Sequence, residues 1–131
     1  MKRNDRDVPL SVVIVDDDLD TVDSTATLLR IHGCEVRTAD NGVDALALIA
    51  TRCPDIVMAD LAMPRMDGFD LARRVIAMCD GERFPVLIAV SGLARAVDQE
   101  KASEAGFHVH LTKPVELDIL FGIIDWFRTI H

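Results

Sequence analysis

The chain has 131 residues, half of them hydrophobic and 27% charged, which is enough for one domain with a packed core and excludes a disordered or fibrous chain. Its formal net charge of -8 argues against a surface that collects the phosphates of nucleic acid, because such a surface needs clustered Lys and Arg. No run approaches the roughly 20 apolar residues needed to cross a bilayer, and the polar beginning lacks the apolar core of a secretory signal. We therefore expect one cytoplasmic domain that binds neither nucleic acid nor membrane.

Strands are predicted wherever apolar or β-branched residues form short runs. Residues 1–10 are polar and charged, so we expect a flexible N-terminal segment there and the folded domain over 11–131. The strand predictions are 11–15, 35–39, 55–59, 85–90 and 108–111. The first, third and fourth of these runs show no alternation, which indicates strands covered on both faces of a sheet.

Helical periodicity fills the stretches between and after these strands. The helix predictions are 19–32, 43–51, 69–78, 94–105 and 116–129. Gly33 follows the first of them, at the place typical of a helix C-terminal glycine. Five consecutive strand-helix units predict the α/β class, with a parallel sheet, right-handed crossovers and helices on both faces.

Polar residues follow four of the five predicted strands directly. Asp16 and Asp17 come after the first strand, Asp60 after the third, Ser91 after the fourth and Lys113 after the fifth. In open parallel sheets, functional groups collect at the carboxyl ends of the strands, near the point where the strand order reverses. We therefore expect these five side chains to meet at one edge of the sheet.

Neighbouring carboxylates repel each other, and without a cation at least one of them would take up a proton. Oxygen ligands with room for water favour Mg²⁺. With Mg²⁺ bound, one carboxylate can attack phosphorus, while Lys113 and the hydroxyl of Ser91 contact the phosphoryl oxygens. Asp60 is the expected nucleophile because it stands alone on the middle strand, and the product would be an aspartyl phosphate.

Four motifs in order give the chain a resemblance to a known family. They are Asp16-Asp17, the stretch DLAMPRMDG at 60–68, Ser91-Gly92 and Lys113-Pro114. Over residues 11–129 the chain resembles the receiver domains of two-component response regulators. The resemblance implies a flavodoxin-like, doubly wound sheet in the order 2-1-3-4-5 with five helices. It also implies a signalling phosphoacceptor that catalyses only its own phosphorylation and dephosphorylation.

The resemblance assigns the metal and the phosphorylation site. Asp60 matches the phosphoacceptor and also a ligand of Mg²⁺. Asp17 matches a direct ligand, and Asp16 matches the acid that holds the ion mainly through water. The backbone carbonyl of Ala62 would supply a further ligand.

The same resemblance assigns the residues that contact the phosphoryl group. Lys113 matches the lysine that binds it, and Pro114 matches a proline that follows a cis peptide bond. Ser91 matches the switch hydroxyl, which turns inward to the phosphoryl group. His110 stands where the family often has Tyr or Phe, and this departure affects the coupling between the switch hydroxyl and the fifth strand.

The resemblance further implies a phosphohistidine donor, either a histidine kinase or a histidine phosphotransfer protein. A downstream protein or a homodimer would then bind the surface of the fourth helix, fifth strand and fifth helix. The fourth helix has mostly Ala at its inward positions, so burial fixes it weakly. The fifth helix carries two apolar stripes where packing on a sheet needs one, which leaves partner contact and simple packing both open. The stripes are Leu117, Leu120, Phe121, Ile124 and Phe127, and Ile119, Ile123, Trp126 and Ile130.

Three other functions remain as alternatives. The segment 106–115 is similar to receivers of hybrid sensor histidine kinases. A Mg²⁺-dependent aspartyl-phosphate phosphatase would need a second Asp two residues after the nucleophile, where this chain has Ala62. A binding module that has lost phosphorylation would not need the complete set of acids, Ser91 and Lys113.

Structural roles explain several remaining polar residues. Asp18, Asp20 and Asp67 are interpreted as helix-capping or first-turn acids. His108 and His110 point to the same side of a strand, as a two-histidine metal site requires, but no third ligand is evident. The spacing of the three cysteines fits neither a disulfide framework nor a zinc site, so Cys34, Cys53 and Cys79 are interpreted as buried or idle thiols.

Overall fold

The computed structural model describes residues 9–79, 85–92 and 96–130, without the side chains of 96 and 97. Strands and helices alternate along these residues. The strands are β1 (Leu10–Val15), β2 (Cys34–Ala39), β3 (Ile56–Asp60), β4 (Val86–Ser91) and β5 (Val109–Thr112). The helices are α1 (Leu19–Ile31), α2 (Gly42–Thr51), α3 (Gly68–Met78), α4 (Ala96–Ala105) and α5 (Leu117–Ile130).

The five strands form one parallel sheet in the order β2-β1-β3-β4-β5. The predicted class and strand order are therefore confirmed. The chain moves outward from β1 to β2 and then crosses back to β3, so the order reverses between β1 and β3. Val15 pairs with Ala59 across this boundary, which brings the carboxyl ends of the two central strands side by side.

Helices cover both faces of the sheet, as the uninterrupted apolar runs predict. Val13, Val57 and Leu87 belong to the core that packs against α2, α3 and α4. Alternate residues of the same strands, such as Ile14 and Ile88, pack against α1 and α5 on the other face. Every residue of β1 and β3 is buried.

Most elements begin or end within about two residues of the predicted bounds, as is usual for such assignments. The predicted flexible segment, 1–10, lies outside the described residues except for Pro9 and Leu10, and Leu10 is buried as the first residue of β1. The predicted start of the fourth helix, 94–95, also lies outside them.

Asp55, which the sequence analysis included in the third strand, precedes β3 and has a structural role. Its carboxylate is 3% exposed and accepts the backbone N–H of Ser11 at 2.8 Å. Its backbone N–H donates to the carbonyl of Ser11, and its own carbonyl accepts the N–H of Val86. Asp55 thus connects the beginnings of β1, β3 and β4, at the edge of the sheet opposite to the strand ends that carry the predicted site.

The residues at several helix ends have the capping roles that the sequence predicts. Asp18 is the N-cap of α1, and its carboxylate accepts the N–H and the hydroxyl of Thr21. Asp67 caps α3 by accepting the N–H of Asp70 at 2.9 Å. Gly33 follows the C-cap of α1 with a φ of +92°, a conformation that favours glycine. In the described ranges, none of the helices combines the length and the apolar character that a membrane span requires.

The first residue of α3, Gly68, packs directly against the backbone at the end of β3. A Cβ atom built on Gly68 would lie 2.6 Å from the carbonyl oxygen of Asp60 and 2.8 Å from Cα of Leu61. The N–H of Gly68 also donates to the carbonyl of Leu61 at 3.1 Å. Because backbone atoms cannot give way as a flexible side chain can, this contact requires glycine.

We expect Gly68→Ala to lower the free energy of unfolding by about 1–3 kcal/mol, because the added methyl group must push α3 away from β3. The matched control is Gly122→Ala in the interior of α5, where a Cβ meets nothing within 4 Å. That control should gain up to about 1 kcal/mol from the better helix propensity of Ala. Urea denaturation of the two variants measures both effects, and a Gly68→Ala protein as stable as the wild type would contradict the contact.

Candidate functional site

Three carboxylates meet at the carboxyl ends of β1 and β3. Asp16 directly follows β1 and Asp60 ends β3, so the pairing of Val15 with Ala59 sets the two acids side by side. Asp16 and Asp60 are each 5% exposed, whereas Asp17 is exposed. One oxygen from each of the three lies within 4.8 Å of the others. Among the described residues, this is the one cluster of three or more side chains with metal-binding atoms.

Lys113 brings a positive charge between the two buried acids. Its Nζ lies 3.1 Å from Oδ2 of Asp16 and 3.1 Å from Oδ2 of Asp60. The backbone of Lys113 is fixed by an N–H donated to the carbonyl of Ser91 at 2.7 Å, and the bond to Pro114 is cis. The ammonium group therefore bridges the ends of β1 and β3 from the end of β5.

The pKa values of Asp60 and Lys113 reflect competition between burial, which disfavours the charged forms, and the contact between their opposite charges. Burial raises the pKa of Asp60 above its usual value, and the N–H of Ala62 and the ammonium of Lys113 only partly offset that rise. For Lys113, burial lowers the pKa, but hydrogen bonds to Asp60 and Asp16 outweigh it and leave the pKa raised. Lys113 therefore keeps its proton at neutral pH.

The side chain of Asp60 is held in one orientation by the chain that follows it. Its Oδ1 accepts the N–H of Ala62 at 3.0 Å, so its Oδ2 is the oxygen that faces Lys113. The backbone contact with Gly68 supports the same segment from the other side. In the sequence, Gly68 stood out only as the last residue of the motif at 60–68. Its position in the Asp67-Gly68 pair is the one signal that pointed to a special backbone there.

Ser91 and His110 form a hydrogen-bonded pair beside the acids. Ser91 is the last residue of β4, one position beyond Val90, which pairs with Asp60. Its Oγ lies 2.7 Å from Nε2 of His110 on β5. The buried Nδ1 of His110 has no hydrogen-bond partner among the described residues. Both residues were expected near the site, but the direct contact between them was not predicted from the sequence.

His108, which directly precedes β5, and His110 within it do not meet a third metal ligand among the described residues. Nδ1 of His108 accepts the backbone N–H of Leu87 at 3.0 Å, so this nitrogen already has a partner. Nε2 of His110 is engaged with Ser91. The acids, and not the histidines, are therefore the metal-binding candidates of this part of the chain.

The chain is similar in sequence to known proteins. The chain is 40% identical over 107 residues to an uncharacterized 14.6 kDa protein of Leptolyngbya boryana, covering 82% of this chain and 81% of that protein. It is 34% identical over 119 residues to the sensor histidine kinase RcsC of Salmonella typhimurium, covering 91% of this chain but only 12% of the kinase. This chain thus corresponds to a small part of RcsC.

A solved structure shows the same architecture. The CheY-like response regulator receiver domain protein of Methanospirillum hungatei matches with a TM-score of 0.82 and 28% sequence identity, covering 93% of this chain and 96% of that one. The family described as the response regulator receiver domain matches residues 12–125. The acids at the ends of β1 and β3 lie within that range, as do Ser91 and Lys113. The chain belongs to the response regulator receiver domain family of two-component signal transduction.

Proposed function

We propose that this chain accepts a phosphoryl group on Asp60 from a phosphohistidine donor, with Mg²⁺ bound beside it. The observation that carries the proposal is the position of the Lys113 ammonium, 3.1 Å from the buried carboxylates of both Asp16 and Asp60. A purely structural ion pair would need one acid, and a third acid, Asp17, lies exposed at the same place. The arrangement keeps negative charge in excess where a dication can neutralise it.

The donor set fits Mg²⁺. All the side-chain ligands are carboxylate oxygens, which hard cations prefer, and the exposure of Asp17 leaves an open side for the water molecules that Mg²⁺ retains. Asp16, Asp17, Asp60 and the backbone carbonyl of Ala62 would hold the ion. When bound, the ion supplies positive charge that lets an anionic carboxylate approach an anionic phosphoryl group.

In the transfer, a carboxylate oxygen of Asp60 forms a bond to phosphorus as the bond from phosphorus to the donor imidazole breaks. The imidazole nitrogen keeps the bonding electron pair, and the ring is left neutral because its other nitrogen already carries a proton or because the leaving nitrogen takes one up. Lys113 moves its contact from the Asp60 carboxylate to a phosphoryl oxygen and offsets the charge that arrives. Hydrolysis later restores the carboxylate. The chain turns over no metabolite and promotes only its own phosphorylation and dephosphorylation.

The pair of Ser91 and His110 supplies the switch in this proposal. The Oγ of Ser91 now lies 2.7 Å from Nε2 of His110, and a phosphoryl oxygen on Asp60 would offer the hydroxyl hydrogen a charged acceptor. When Ser91 turns to the phosphoryl group, the imidazole loses its partner on Nε2, while Nδ1 has no partner among the described residues. Because two unpaired ring nitrogens are costly inside the protein, His110 is then driven to move. The movement reaches the surface through β5.

The proposed output surface comprises α4, β5 and α5. Among the described side chains of α4, Ala102 and Ala105 are the buried ones, so little apolar area anchors this helix. On α5, Ile119, Trp126 and Ile130 are about half exposed. A weakly anchored helix beside exposed apolar groups suits a surface that changes its binding of a downstream protein or of a second copy.

The donor is proposed to be a histidine kinase or a histidine phosphotransfer protein in the cytoplasm. The match to a segment of the sensor histidine kinase RcsC supports a second form of the same proposal, in which this sequence serves as the receiver of a hybrid sensor kinase. The phosphatase alternative has weaker support, because Ala62 offers no carboxylate where such an enzyme needs its general acid.

Labelling with radioactive acetyl phosphate tests the phosphoacceptor. We expect one label per chain in the presence of Mg²⁺, no label in EDTA and no label in Asp60→Asn, because an amide is a far weaker nucleophile than a carboxylate. Asp67→Asn is the matched control, since Asn caps helices as well as Asp and Asp67 is not in the acidic cluster. The proposal would be refuted if the Asp60→Asn protein became labelled, or if EDTA did not prevent labelling of the wild type. Continuous phosphate release from small phosphoesters would favour the phosphatase.

Amide hydrogen exchange tests the output surface separately. With a phosphoryl mimic bound at the acidic site, we expect exchange in α4, β5 and the start of α5 to change by roughly tenfold, while α2 stays within error. The expected change disappears in Ser91→Ala, which removes the hydroxyl that would bind the phosphoryl group. Equal exchange rates in α4 and β5 with and without the mimic would count against this surface.

A further inference from the structure

Two of the three cysteines are in contact although they are far apart in the sequence. Sγ of Cys53 lies 3.1 Å from Sγ of Cys79, 26 residues later. Both side chains are half-buried, and neither cysteine is in a disulfide bond. Their spacing in the chain does not reveal this contact, and the phosphoryl chemistry makes no use of it.

Each cysteine is attached to a fixed piece of backbone. Cys53 lies between α2 and β3, next to Pro54, whose carbonyl its thiol contacts at 3.7 Å. Cys79 is the C-cap of α3 and donates its N–H to the carbonyl of Val75 at 2.9 Å. A disulfide bond is about 2.05 Å long, so closing it requires the two sulfur atoms to approach by only about 1 Å.

We propose that Cys53 and Cys79 are a redox modification site, which closes to an intramolecular disulfide under a peroxide oxidant and reopens under thiol reductants. In a reducing compartment, disulfides of this kind are transient and act as sensors. The bond would enclose β3, Asp60 and α3 in one covalent loop. Asp60 ends β3 and Cys53 precedes its beginning, so the two modifications are at opposite edges of the sheet.

The chemistry balances with hydrogen peroxide as the oxidant. Sulfur of Cys53 attacks one peroxide oxygen, the O–O bond breaks, and Cys53 becomes a sulfenic acid as the first water leaves. Sulfur of Cys79 then attacks Sγ of Cys53, the S–O bond breaks, and the departing hydroxide takes the proton of Cys79 as the second water. The two thiols lose two electrons and two protons, and one peroxide yields two waters.

The order of the two steps follows from the environment of Cys79. Burial, and then the hydrogen bond and charge of Cys53, raise the pKa of Cys79 to about 12. Cys79 therefore keeps its proton at neutral pH and is a poor first nucleophile, because thiolates and not thiols attack peroxide. Its proton is then available to the hydroxide that leaves Cys53.

Cys34 provides an internal control. It is 6% exposed and belongs to the core that packs against α1 and α5, whereas Cys79 packs against the core on the opposite face of the sheet. Sγ of Cys34 lies 3.8 Å from Nη2 of Arg128 and has no cysteine beside it in the described residues. If oxidation links only cysteines that are already in contact, Cys34 should remain reduced.

The test treats the full chain with one equivalent of hydrogen peroxide, alkylates the remaining thiols after unfolding and identifies the peptides by mass spectrometry. We expect a linked Cys53–Cys79 peptide, alkylated Cys34 and reversal by dithiothreitol. The oxidised chain should unfold at a Tm higher by on the order of 10 °C, because the bond restricts the unfolded chain.

Two variants decide between outcomes. Cys34→Ser should retain the linkage and the Tm shift, whereas Cys53→Ser should lose both. The proposal is overturned if Cys53 and Cys79 are both alkylated after oxidation, if they are oxidised to sulfinic acid without a bond, or if the linkage joins Cys34 or a second chain.

Discussion

Repulsion between carboxylates buried at adjacent strand ends is the constraint on which this structure depends. The parallel pairing of β1 with β3 forces Asp16 and Asp60 together, and both are withdrawn from water. One ammonium, that of Lys113, contacts both acids and cannot cancel three negative charges once Asp17 is included. The fold therefore maintains an anionic centre that remains short of positive charge, which is the condition for binding a dication and for reacting with a phosphoryl group.

In the proposed function, the sheet connects this centre with the surface. Each central strand places one residue of the site at its carboxyl end. In the proposed function, a change at Asp60 passes to Ser91 on β4 and then to His110 on β5. The neighbouring helix α4 is held by small side chains, in contrast to α3, whose first residue is locked against the backbone of Asp60. In the proposed function, rigid support from α3 on one side of Asp60 and weak support from α4 on the other direct the response toward α4 and β5.

The hydrophobic periodicity of the sequence was sufficient to predict the helices, the strands and the parallel sheet. It also predicted that polar residues meet at one edge, because the carboxyl ends of parallel strands lie on the same side of the sheet. Contacts between distant residues were not predictable in this way. The bridging position of Lys113 and the bond between Ser91 and His110 depend on side-chain rotamers. Asp55 was predicted as part of the third strand, because a local sequence pattern cannot reveal that its carboxylate binds the backbone of another strand. The contact between Cys53 and Cys79 depends on how α3 lies on the sheet.

Calorimetric titration with Mg²⁺ at neutral pH tests the central claim most directly. If excess carboxylate charge defines the site, one ion binds per chain, and Asp17→Asn weakens that binding at least about tenfold, because one charged ligand is lost from an otherwise intact site. Asp23→Asn, which removes an exposed acid of α1 outside the cluster, should bind as the wild type does. Absence of Mg²⁺ binding, or equal affinity in Asp17→Asn and the wild type, would contradict the account.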